Sequence, residues 1–216
     1  MTDVTDTVEA PAGHHEQVSR RQVDKFAQRR DELAGAAVQT LAALGYARTS
    51  LREIAKDTDF SHGVLHYYFR DKVDLITHCV KLYKAICVQR YDEIVATATT
   101  ADDLAVGFGE AMVVTARDDS ALHRLWYDMR SQSMFEPAFR ADVVDIDDSL
   151  QQMIGRVVSR YAALAARPVA VDPATAYAAF DGVFQRALLR HLAGEPDALP
   201  ALSAQVERLL PTLLRH

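Results

Sequence analysis

The sequence predicts an all-α protein, with a short three-helix unit near the N-terminus followed by a longer helical domain. Three observations carry that reading. Apolar residues recur at three-and-four spacing through nearly every long segment, whereas no run alternates with period two over several strands. Helix starts are written as a short polar residue before an apolar run or a proline, as at Ser50, Ser61 and Asp172-Pro173. Helix ends fall at Gly45 and Gly194. With 216 residues, 49% of them hydrophobic, the chain has enough apolar surface for a substantial core.

In chain order, residues 1–18 read as a disordered leader of Pro, Gly, Thr and acids, in which His14-His15 lacks partners at metal-ligand spacing. Phe26, Leu33, Ala37, Leu41 and Leu44 mark the first helix, whose early Arg20, Arg21, Lys25, Arg29 and Arg30 suit either phosphate or solvent. Ser50 with Glu53 forms a capping-box pattern and starts a second helix at Leu51. The second helix ends at Asp57-Thr58-Asp59, short polar residues expected to tolerate a left-handed turn. Ser61 caps a third, running from His62 to about Phe69. The pattern over 49–72 is thus a helix-turn-helix within a domain spanning 19–71. Residues 72–216 form the second domain, and Lys72 opens its long amphipathic helix with Leu75, Ile76, Cys79, Leu82, Tyr83, Ile86, Tyr91 and Ile94 toward a core. Further helices are predicted over about 100–116, 120–135, 142–166, 172–193 and 197–214.

At these residues the chain resembles the TetR family of bacterial transcriptional regulators. Gly45-Tyr46, Thr49-Ser50, Ile54-Ala55, Ser61-His62-Gly63, Leu65, Tyr67-Tyr68-Phe69, Lys72 and Leu75 stand in that family's order and spacing. About a dozen matches in roughly thirty residues is far more specific than a short pattern recurring by chance. The chain departs at Thr58-Asp59, where the family usually has Ala-Gly, and at His66, where it usually has an aromatic. The resemblance implies an N-terminal three-helix helix-turn-helix DNA-binding domain plus a C-terminal helical ligand-binding and dimerisation domain. It further implies a repressor that grips a palindromic double-stranded DNA operator as a homodimer and is released by a small-molecule effector. An alternative is a ligand-binding or scaffold protein of the same fold that has lost DNA binding.

In helix-turn-helix docking the second helix enters the major groove while its flanks grip the backbone. That assigns His62, Gly63 and Tyr67 to base edges and His66 to a base or phosphate, with Ser61 at the cap. Ser50, Arg52, Tyr68 and Lys72 go to phosphates; Phe69 is expected to pack inside. The resemblance places the dimer surface on the last two helices, 172–193 and 197–214. The middle helices supply aromatic and flexible apolar side chains suited to an effector site: Phe108, Met112, His123, Trp126, Tyr127, Met129, Arg130, Met134, Phe135, Phe180 and Phe184. Trp126 near Asp128 suits a quaternary ammonium through cation–π contact, and Leu75–Val95 faintly resembles the family's choline-responsive branch. Lipid-like and aromatic effectors fit the same composition.

Bulk properties limit the other classes. The net charge of −6 divides into +2 over residues 14–72, from ten Lys/Arg against eight Asp/Glu, −3 over residues 1–13 and −5 over the remainder. A local basic surface, which phosphate contact requires, is compatible with an acidic whole. Cys79 and Cys87 lie two helical turns apart, about 12 Å, too far for a disulfide. No apolar run reaches the roughly eighteen residues of a membrane span, so a cytoplasmic location without membrane contact is expected. There is no nucleophile elbow, phosphate loop or zinc-binding His pair in a protease motif, and Gly107-Phe-Gly109 lacks the strand of a dinucleotide site. No enzyme activity, cofactor or metal is therefore expected.

Overall fold

The computed structural model describes residues 12–215 of the chain. Among them nine α-helices follow one another: α1 Ala12–Arg48, α2 Leu51–Asp57, α3 His62–Tyr68, α4 Lys72–Thr97, α5 Ala101–Asp118, α6 Ser120–Gln132, α7 Arg140–Leu164, α8 Pro173–Leu192 and α9 Ala198–Thr212. A short 3-10 turn, Pro137–Phe139, joins α6 to α7. Among the described residues there is no strand, only one bridge between Val169 and Leu214, and no helix is long and apolar enough to cross a membrane. Residues 1–11 of the expected leader lie outside the described residues, as do the side chains of His14, His15, Arg20 and Arg21; the α1 backbone begins at Ala12.

The N-terminal unit is α1 to α3. Leu33, Ala34, Ala37 and Leu41 of α1 are fully or almost fully buried, together with Leu51 and Ile54 of α2 and Leu65 of α3. Phe26 stays partly exposed instead, lying 4.8 Å from Tyr68 between ring centres. The turn between α2 and α3 differs from expectation. Thr58 is extended, at φ −126°, and Ala166 is the one non-glycine with positive φ among the described residues, so Asp59 is not left-handed. The Thr58 hydroxyl donates to the Ile54 carbonyl at 3.0 Å, closing α2 without that conformation.

From α4 onward the helices wrap a second core. Ile76, Tyr83, Cys87 and Tyr91 define its buried stripe on α4. At about 100° per residue that arc takes in Lys84 and turns Ile86 outward. Ile86, expected in the core, is 57% exposed, and Lys84 is buried. α5 lies against α9 so closely at Gly109 that a Cβ there would sit 2.9 Å from Ser203 Oγ and 3.4 Å from Ser203 Cα. Gly107-Phe-Gly109 is thus a packing feature. α6 ends at Gln132, before Met134 and Phe135, which are left 72% and 83% exposed rather than lining an interior site.

Gly45 marks the junction of the two parts. Its φ of 72° and ψ of 174° interrupt α1 in a region open essentially to glycine alone. We expect Gly45→Ala to lose about 1–3 kcal/mol of stability, read as a lower urea midpoint at unchanged slope. A midpoint equal to that of the parent would show that the corner does not need this conformation.

Candidate nucleic-acid interface and interior cavity

Two serine caps set the helix pair, Ser50 on α2 and Ser61 on α3. Ser50 Oγ accepts the Glu53 N–H at 3.2 Å, and its hydroxyl proton goes to the Glu53 carboxylate. The expected box is therefore half formed: the glutamate takes the Ser50 hydroxyl and not the Ser50 backbone N–H. The hydroxyl bond holds the Glu53 carboxyl below its usual range. Ser61 Oγ accepts the Val64 N–H at 3.2 Å and starts α3. α3 anchors itself through Leu65 and the following Phe69, both fully buried, which leaves Ser61, His62, Gly63, His66 and Tyr67 together on one exposed face. Tyr67 is 72% exposed and the His62 and His66 rings meet edge to face at 4.3 Å. Among the described residues no group of three or more His, Cys, Asp or Glu side chains is arranged to hold a metal ion.

The flanking residues are less uniform. Arg52 is exposed on α2. Tyr68 is half-buried against Phe26. Lys72, at the first turn of α4, donates from Nζ to the Tyr46 carbonyl at 3.3 Å and lies 4.1 Å from the centre of the Tyr46 ring. Ser50 and Lys72 are thus tied within the protein, Lys72 with donors to spare. The orientation of α4 against α1 is fixed by Arg30, whose guanidinium reaches Asp74 at 2.7 Å and sits 4.8 Å over the Phe69 ring. Burial alone pushes the Asp74 carboxyl up, but the Arg70 N–H at 3.1 Å and the Arg30 charge outweigh it and hold it below the usual range.

Behind this unit, α4 to α8 enclose a cavity of about 60 Å³. Seven of the eleven expected effector-site residues line it: Phe108, Met112, His123, Trp126, Tyr127, Phe180 and Phe184. Arg130 does not. Its guanidinium binds Asp181 at 2.5 Å and Asp147 at 3.4 Å, behind the wall. Met129 is fully buried but outside the lining, and Met134 and Phe135 point outward. Sequence reasoning missed Lys84, Cys87, Tyr91, Leu150, Met153, Ile154, Tyr177 and Asp181. The signal for Asp181 was its place between Phe180 and Phe184 on the buried side of α8; for Lys84 it was the arc of α4.

Polar groups inside the cavity form two networks. Tyr127 donates to Asp181 at 2.9 Å, and Tyr177 to Asp147 at 2.7 Å, so the Arg130 charge is shared by two carboxylates. Lys84 Nζ is 3.2 Å from His123 Nδ1, and His123 Nε2 is 2.9 Å from the Tyr83 hydroxyl. Burial first, then the nearby charges of Lys84 and Arg90, holds His123 well below its usual value, so the ring is neutral. Burial lowers Lys84 to about 8. The Lys84 ammonium lies 5.4 Å from the Trp126 ring, while Asp128 faces away from that ring to accept the Tyr46 N–H at 3.0 Å. The expected Trp126–Asp128 box for a quaternary ammonium is therefore absent: the cation nearest the indole is the protein's own.

α6 separates the cavity from the helix-turn-helix unit. His123, Trp126 and Tyr127 face the cavity, whereas Arg124 donates to the Ala42 carbonyl of α1 and Asp128 holds Tyr46.

Comparison with known proteins agrees with this geometry. Residues 33–79 match the family model described as bacterial regulatory proteins, tetR family. No curated protein matches the chain. Among solved structures it is similar to a TetR transcription regulator from Haloarcula marismortui, with 18% identity and a TM-score of 0.71, covering 88% of this chain and 100% of that one. It is also similar to the transcriptional regulator FadR from Bacillus subtilis in complex with stearoyl-CoA, with 20% identity, TM-score 0.67 and coverage of 82% and 95%. A chain from Saccharomonospora viridis in complex with choline gives 16%, 0.70, 88% and 100%. At these identities the likeness establishes the fold.

The lowered Asp74 carboxyl stabilises the folded state above its unfolded value near 4, and that contribution is lost as pH falls through the folded value. Asp74→Asn should therefore lower stability at pH 7 by about 1.5–3 kcal/mol, with the gap to the parent closing in urea melts at pH 3. A gap independent of pH would remove the charge as its cause.

Proposed function

We propose, from an N-terminal unit that belongs to the tetR family of bacterial regulatory proteins and a chain in that family's fold, that this protein is a DNA-binding transcriptional repressor released by a small-molecule effector. The observation that carries the reading is the exposed α3 face of His62, Gly63, His66 and Tyr67 held by two buried anchors, Leu65 and Phe69. A helix so held can enter a major groove without losing its own packing. His62, Gly63, His66 and Tyr67 read bases, while Arg52, Tyr68 and Lys72 bind phosphates. Ser50 joins them if its hydroxyl leaves Glu53.

One seven-residue helix covers too few bases for specificity, so a homodimer presents two to a palindromic operator. α8 offers the partner surface: Gly182, Gln185, Arg186, Leu189 and Leu192 follow one another at helical spacing, with Leu189 68% and Leu192 46% exposed. The apolar stripe of α9, Leu202, Val206 and Leu210, is buried within its own subunit, so α9 would contribute its other face. The aromatic cavity supports an effector site. At about 60 Å³ it is well below the roughly 300–1,000 Å³ of drug-sized sites, so a larger ligand must part α6 from α8. Parting them moves Arg124 and Asp128, and with them α1.

Fluorescence anisotropy on the upstream region of the protein's own gene, against random DNA of equal length, tests the regulator. Lys72→Ala should weaken binding to both and reduce the salt slope by about one. Tyr67→Ala should weaken operator binding far more than random binding. Equal losses on the two DNAs would remove the base-reading role of Tyr67, and a parent protein that binds neither would leave a ligand-binding protein of this fold.

For the dimer, Leu189→Asp should shift sedimentation at micromolar concentration from two subunits to one and abolish operator binding. A parent protein that sediments as a stable monomer would overturn the assignment.

A further inference from the structure

Within the cavity, charge compensation is uneven. The Asp181 carboxylate accepts from both Arg130 and Tyr127, so its oxygens are engaged in the wall and it acts on Lys84 only as a more distant charge. Lys84 differs. It is buried, its hydrogen-bond partner is the neutral His123 ring, and among the described residues no carboxylate stands in contact with its Nζ. An ammonium carries three donors, so two remain for the cavity. With Nδ1 accepting from Lys84, Nε2 carries the His123 proton toward the Tyr83 hydroxyl, and the ring offers the cavity no second donor. The rest of the wall is apolar: Phe108, Phe180, Phe184, Leu150 and Ile154. A buried cation with no carboxylate in contact is costly, and burial, against the more distant Asp181 and Asp119, has lowered Lys84 to about 8.

We propose that the cavity takes a small organic acid, its apolar or aromatic body among the phenylalanines and its single carboxylate paired with Lys84 Nζ beside Trp126. This rests on the cavity being the effector site and names the class of effector. The ligand supplies the direct carboxylate contact that the protein omits. A cationic ligand would face Lys84 with like charge, and a neutral one would leave the ammonium unpaired. The preference is for an acid with one carboxylate, because Lys84 is the one cation of the lining and has no carboxylate in contact.

Trp126 is the single tryptophan and stands 5.4 Å from Lys84 Nζ, so its emission reports occupancy directly. The full-length protein is titrated with benzoate, phenylacetate and hexanoate, and with the amide and amine matching each. The expected result is a saturable change in emission with at least one acid, tenfold or more tighter than its amide, and none with the amine. Lys84→Met keeps the length and removes the charge. It should raise the melting temperature and bring acid and amide to equal affinity; the rise also shows that the variant is folded. An amide or amine that binds as tightly as its acid, no saturable response to any acid, or an undiminished acid preference in Lys84→Met would each overturn the proposal. An acid that binds in this way but leaves operator affinity unaltered supports the site while removing its role as the effector site.

Discussion

The two halves of this molecule are joined through one residue. Tyr46 follows the glycine that breaks α1, and every polar group of its backbone is engaged across the junction. Its N–H goes to Asp128 of α6 at 3.0 Å, and its carbonyl receives Lys72 of α4 at 3.3 Å. Its ring lies under the Lys72 ammonium and against the edge of Phe139 at 5.1 Å between centres. These contacts need the backbone direction that Gly45 gives at φ 72°. A helix continued through residue 45 would carry Tyr46 elsewhere on the α1 surface and leave Asp128 and Lys72 without partners. The position of α3 relative to the cavity is therefore set at this corner.

Much of the helix-turn-helix unit was legible because its determinants are local. A serine cap lies within three residues of the N–H it serves, as at Ser50 and Ser61, and the buried side of a seven-residue helix follows from its spacing. The burial of Phe69 beside the exposed Tyr67 is legible in this way. The aromatic cavity was legible for a different reason: large apolar residues on amphipathic helices have few places to go but inward. What escaped is non-local. Lys84 is buried because α4 meets several helices at once, so the arc it covers is wider than a single stripe, and a lysine read alone is assigned to solvent. Arg130 falls outside the lining because Asp181, fifty-one residues away, captures it. Met134 and Phe135 face outward because α6 ends at Gln132, an end no glycine marks. The exchange of Ile86 and Lys84 has the same origin, since a small rotation of α4 about its axis decides which of the two is enclosed.

The cavity also divides its charges by purpose. Arg130 with Asp147 and Asp181 links α6, α7 and α8 by contacts of 3.4 and 2.5 Å, each ion having an opposite partner. Such a group holds helices in register, and removing Arg130 would strand both carboxylates. Lys84 has no such partner and is the polar element still open to chemistry. This separates the residues that build the wall from the one that faces its contents.

α6 carries both sets of contacts, and its size makes it an effective connector. Trp126 and Asp128 are two residues apart and so lie on opposite sides of one helical turn. A packed helix moves as a body, since close-packed side chains do not deform continuously. A ligand that displaces Trp126 therefore displaces Asp128 as well. The polar link from α6 to α1 consists of Arg124 on the Ala42 carbonyl and the Tyr46 N–H on Asp128. Hydrogen bonds with one charged partner contribute about 1.5–3 kcal/mol each, roughly 3–6 kcal/mol for the pair. Reversing a two-state equilibrium from 1:99 to 99:1 takes about 5.5 kcal/mol of differential affinity. On the proposed function, breaking this link alone is of the right magnitude to free α1 to α3 from α6, and loosening one of its two bonds gives a partial effect.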